Sequence, residues 1–103
     1  MPIYTIMVFE KLEYKDKFHD IGASRLVGFY HNFNDAEKAV TTNAGDINET
    51  CYDYAIIEKV EPGLYQCATS KDRTLYKFDY ESHTYNHIEE PKFLSHIAGF
   101  TIG

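Results

Sequence analysis

Residues 3–10 place apolar side chains on both alternating sets: Ile3, Met7 and Phe9 with Thr5 on one, Tyr4, Ile6 and Val8 on the other. A strand that is apolar on both faces is covered on both, so an interior strand is predicted here. Pro2 suits its start, where no ladder donor is needed. The period is lost over residues 11–22, where charged side chains mix with Tyr14, Phe18, His19 and Ile21; this stretch is expected to be a loop carrying aromatic anchors. Alternation returns over 22–30, with Arg25, Val27 and Phe29 on one face and Leu26 and Tyr30 on the other.

The pattern then changes to a helical one. Ala36, Ala39 and Val40 form a stripe at i, i+3 and i+4. Asn34 is the expected N-cap, with Glu37 three residues later in a capping box, and Gly45 is the expected stop. A third strand is predicted over 51–60, with Tyr52, Tyr54 and Ile56 opposite Asp53, Ala55 and Ile57. Glu61-Pro62-Gly63 is a turn by composition, and 64–68 completes a hairpin. A second hairpin joins 75–80 to 84–88 through Glu81-Ser82-His83. Glu90-Pro91 opens a short last helix with Phe93, Leu94 and Ile97 on its apolar face and Gly99 at its end; residues 100–103 follow as an extended tail docked on the core. The expected fold is a single α+β domain over 1–103: a small, mainly antiparallel sheet with one central helix and a short C-terminal helix, in the order β-β-α-β-β-β-β-α.

Composition narrows what this domain can do. At 103 residues it buries roughly 65% of the surface of its unfolded chain, enough for one modest core. No apolar run approaches the ~20 residues of a membrane span, and residues 1–20 lack a secretory pattern, so a cytoplasmic protein with no membrane partner is expected. The two cysteines, Cys51 and Cys67, are then free thiols. A net charge of −6, with only two arginines, makes duplex nucleic acid a poor partner, because its affinity rests on cations that neutralise phosphates. The unusual quantity is nine Tyr and seven Phe without Trp. Tyrosine suits both half-buried sheet faces and recognition surfaces.

Candidate chemistry is sparse. Asp46, Glu49 and Asp53 cluster after the helix, but the spacing matches no calcium loop, and Asp and Asn there are ordinary loop residues. His83 and His87 fall on a hairpin turn and its following strand, and with His96 they form no zinc framework. The serines lack a nucleophile elbow, Cys51 has no adjacent His, and no glycine-rich phosphate loop or other cofactor motif is present. Arg25 is the most informative cation. Either Glu49, Asp53 or Glu58 pairs with it internally, or it sits among tyrosines as an anion and base-stacking site.

The segments RLVGFYHNFNDAEKAV, NAGDINETCYDYAIIEKVEPGLY and EPKFLSHIAGFTIG resemble a group of short proteins of gut bacteria and their phages. The matching positions are Arg25, Gly28, Asn43, Asp46, Ile47, Glu49, Tyr52, Tyr54, Ala55, Ile57, Glu58, Gly63 and Tyr65. The resemblance carries no activity and no catalytic residue; it implies an accessory role, such as sequestering a nucleotide signal or occupying a host protein in counter-defence. The leading expectation is a non-enzymatic binding domain, a homo-oligomer, holding a small anionic or nucleotide-like ligand with Arg25, Tyr30, Tyr52, Tyr54, Asp46 and Glu49. An acidic inhibitor of a host protein and a small hydrolase are the alternatives.

Overall fold

The computed structural model describes residues 2–13, 19–63 and 72–94. Five strands, β1 (Ile3–Glu13), β2 (His19–Tyr30), β3 (Tyr54–Val60), β4 (Arg73–Asp79) and β5 (Thr84–Ile88), form one antiparallel sheet in the order β2-β1-β3-β4-β5. One α-helix, α1 (Phe33–Thr41), connects β2 to β3. Because β2 and β3 are each antiparallel to β1, which lies between them, they run parallel to one another, and α1 is the crossover that such a pair requires. The α+β class and the interior place of β1 agree with the hydrophobic pattern. The expected strand at 64–68 and the residues after Leu94 lie outside the described residues; of the expected C-terminal helix, a 3-10 turn at Lys92–Leu94 is described.

The sheet is covered on both faces. On the helix side Ile6, Val8, Ala55, Ile57, Tyr76, Phe78 and Tyr85 pack with Ala36 and Val40 of α1. On the other side Phe9, Tyr54, Ile56 and Leu75 pack around Leu94. The small helix stripe brings α1 close to the sheet, and there the Tyr76 hydroxyl donates to Glu37 Oε2 at 2.6 Å. Glu37 therefore ties the helix to the sheet rather than closing a capping box.

Four sequence expectations are corrected. Residues 11–13 and 19–22 are strand, not loop: Lys11 pairs with Ile21, Leu12 with Asp20 and Glu13 with His19, because backbone pairing propagates past the point where side-chain alternation fails. The N-cap is Asn32, whose side chain accepts from the Asp35 N–H at 3.2 Å. Phe33, packed edge-on against Tyr4, is the first helical residue, so the cap lies two residues before Asn34. The helix ends at Thr41 with Thr42 as its C-cap; Asn43 follows in the left-handed region at φ 50° and ψ 46°, and Gly45 lies in the turn beyond. Finally, β2 does not alternate strictly. Ile6 pairs with Gly28 and Met7 with Leu26, leaving Val27 as a bulge. Arg25 (opposite Val8) and Tyr30 (opposite Tyr4) therefore share the helix side, and Leu26 and Phe29 share the other.

Burial, then the Glu37 carboxylate, pushes the Tyr76 phenol far above its ordinary value; burial does the same to Tyr85. Folded-state values above the unfolded value of about 10 mean that the stability these phenols contribute is complete below pH ~10 and is lost as pH rises beyond it. Tyr76→Phe is expected to cost about 1.5–3 kcal/mol at neutral pH, the range for hydrogen bonds to charged groups, and to flatten the alkaline fall in stability. Urea unfolding from neutral to alkaline pH measures both.

Candidate functional site

The segment between α1 and β3 is short, irregular and organised by one buried side chain. Asn48 is 3% exposed. Its Oδ1 accepts from the Thr50 N–H at 2.9 Å and its Nδ2 donates to the Tyr52 carbonyl at 2.8 Å. Its own N–H donates to Asn43 Oδ1, and its carbonyl accepts from the N–H groups of Cys51 and Tyr52. The Tyr52 carbonyl also accepts from the Tyr85 hydroxyl at 2.7 Å, which fastens the segment to β5. Asn43, Gly45, Asp46, Glu49 and Thr50 all have positive φ. Asn, Asp and Gly tolerate that conformation; Glu49 and β-branched Thr50 do not adopt it readily.

This strained segment forms one wall of a cleft of about 600 Å³. Ala44, Gly45, Asp46, Ile47 and Glu49 face Arg25, Val27, Gly28, Phe29 and Tyr30 of β2 across it, with Ile6 and Ala39 also lining it. Four of the six residues expected at a site therefore converge here: Arg25, Tyr30, Asp46 and Glu49. The Val27 bulge is what brings Arg25 and Tyr30 to the same side. Of its three candidate partners, Arg25 forms an ion pair with Glu49, at side-chain exposures of 54% and 43%.

Tyr52 and Tyr54 do not line this cleft. Tyr52 precedes β3 and packs against the helix-side core, whereas Tyr54 lies on the opposite face, stacked on Phe9 at 5.3 Å with 9° between rings. The expected strand from 51 begins at Tyr54, because Asn48 holds residues 51 and 52 in its own hydrogen-bonded turn. Around Tyr54 lies a smaller cavity of about 370 Å³ lined with Lys11, Asp53 and Lys77. Lys77 Nζ stands 6.0 Å from the Tyr54 ring centroid.

The remaining candidates have structural surroundings. Asp53 Oδ1 accepts from the Tyr80 hydroxyl at 2.7 Å, and its carbonyl accepts from the Phe78 N–H. Cys51 is exposed and free; desolvation and the nearby Glu10, Glu49 and Asp53 push its thiol up, which disfavours the reactive thiolate. His83 sits in the β4–β5 turn at φ 57°, and His87 stands edge-on to Tyr76 on β5. Among the described residues no three His, Cys, Asp or Glu side chains are grouped to hold a metal ion, and no helix is long and apolar enough to cross a membrane. His96 and Cys67 lie outside the described residues.

Sequence reasoning missed Phe29, Gly28 and the backbone of Ala44–Asp46 as cleft walls. It also missed Asn48 as the organiser, although four Asn, Asp and Gly within residues 43–48 are a signal for left-handed backbone. No protein-family model matches this chain, and neither a curated protein nor a solved structure matches it.

Removing the Asn48 amide strands the Thr50 N–H, so Asn48→Ala is expected to cost about 1–3 kcal/mol. Thr50→Gly relieves the left-handed strain against the entropy that glycine gains in the unfolded chain, a net gain of roughly 0.5–1 kcal/mol. Chemical denaturation of the two variants should move the midpoint in opposite directions.

Proposed function

We propose that this protein is a non-enzymatic binding domain that holds a small nucleotide-like ligand in the cleft between β2 and residues 43–50. The observation that carries this reading is the convergence of Arg25, Tyr30, Asp46 and Glu49 on one cleft of about 600 Å³, a volume within the usual range for small-molecule sites. Tyr30, 41% exposed and on the same side as Arg25, offers aromatic surface to a planar base, and such stacking contributes about 1–3 kcal/mol per base.

Charge restricts the ligand further. Arg25 is already neutralised by Glu49, and Asp46 adds a second carboxylate. An exposed pair of this kind is worth at most about 1 kcal/mol, so a phosphate can take the place of Glu49 on the guanidinium. One phosphate satisfies Arg25, while a triphosphate brings further charge against Asp46 and Glu49. A nucleoside monophosphate or cyclic nucleotide is therefore the favoured class. Holding such a ligand without turning it over amounts to sequestration, the role implied by the resemblance to phage proteins.

Titrating nucleoside mono-, cyclic and triphosphates while following the melting temperature tests this. A monophosphate or cyclic nucleotide at a hundred times its Kd is expected to add about 2.7 kcal/mol of stability, with a smaller effect from triphosphates. Arg25→Ala should abolish the shift, and Glu49→Gln should strengthen it by removing the competitor for Arg25. If no nucleotide moves the melting temperature, the reading is wrong.

A further inference from the structure

Strand β2 is twelve residues long and stands at one edge of the sheet. The opposite edge, β5, has five residues. An edge strand presents a row of backbone donors and acceptors, and proteins that stay monomeric blunt such edges with charges or proline. This edge carries the opposite composition. From residue 21 to residue 34 there is no carboxylate and no proline, in a chain with 16 acids, and the one formal charge is Arg25. Three of the four exposed large hydrophobic residues among the described residues, Leu26, Phe29 and Tyr30, lie on it.

We propose that β2 pairs antiparallel with β2 of a second copy about a two-fold axis between Val27 and Gly28, making one continuous ten-stranded sheet. The bulge makes the edge self-complementary at this register. Leu26 and Phe29 share one face and Arg25 and Tyr30 the other, as their partners on β1 show. Pairing residue 26 with residue 29 of the second copy then sets Leu26 against Phe29 twice on one face. On the other it sets the Arg25 guanidinium beside the second copy's Tyr30 ring, an apolar cross-strand pair and a cation–π pair respectively. Strict alternation would have put Leu26 and Phe29 on opposite faces and broken both matches. A Cβ built at Gly28 meets nothing within 4 Å, so the face of the sheet above the axis is open at this position. The acid-free segment is also where two chains of charge −6 approach with least repulsion. In this arrangement each cleft borders the axis and receives an aromatic ring from the second copy.

Sedimentation velocity of the full chain without nucleotide, over a micromolar-to-millimolar series, tests the pairing separately from ligand binding. The expected species has twice the 11.9 kDa chain mass. Leu26→Lys with Phe29→Lys, both at exposed positions, should weaken association at least about tenfold, with the far-ultraviolet circular dichroism and monomer melting unchanged. Leu26→Cys with Phe29→Cys, in a chain with Cys51 and Cys67 replaced by Ser, should form an intermolecular disulfide on oxidation. A monomer throughout the series overturns the proposal and leaves the edge to a different strand. A dimer unaffected by the lysines, or one that does not cross-link at these positions, overturns it as well.

Discussion

The buried amide of Asn48 is the interaction on which the rest of the described structure turns. The chain must leave α1 on one side of the sheet and enter the central strand β3 within a dozen residues, and that path forces left-handed backbone at five positions. Such a path is unfavourable by itself. It persists because one side chain supplies hydrogen bonds to both the Thr50 N–H and the Tyr52 carbonyl, in a setting where unpaired backbone groups would be costly. The start of β3, the wall of the cleft and the positions of Asp46 and Glu49 all follow from it.

A second constraint is the division of labour between the two faces. The helix-side core joins the sheet to α1 and gains direction from the Tyr76–Glu37 hydrogen bond. The other face carries a separate cluster around Leu94. It also holds buried polar groups: Glu58 is 2% exposed, and Thr5 Oγ1 donates to its carbonyl. Arg73 stands directly opposite Glu58 in the β3–β4 register and binds Glu90 Oε1 at 2.5 Å. Charged side chains thus follow one another on this face from Glu58 on β3 through Arg73 on β4 to Glu90 after β5.

The proposed binding and pairing surfaces share β2, and both depend on its irregularity. The Val27 bulge turns Arg25 and Tyr30 toward α1 and the strained segment, which creates the cleft. The same bulge turns Leu26 and Phe29 to the outside of the opposite face. One extra residue in a ladder therefore sets both what the cleft presents and what the edge offers.

The sequence by itself determined the α+β class, the interior strand at 3–10, the stripe of Ala36, Ala39 and Val40, and the hairpin between β4 and β5. In each case the hydrophobic period or a turn residue acts locally, and the signal survives whatever surrounds it. It also marked Asp46 and Glu49, charged residues beside a helix-ending turn, and Arg25, one of only two arginines, as candidates. Only the tertiary structure decided which Asn caps the helix, since Asn32 and Asn34 are equivalent until Phe33 finds Tyr4. Likewise it separated Tyr52 from Tyr54 and joined Tyr30 to Arg25. A one-residue bulge or a buried amide reverses the facing of everything beyond it, and neither leaves a periodic trace. Alternation along a chain predicts faces only while the ladder stays regular; where it breaks, backbone hydrogen bonding with distant partners decides.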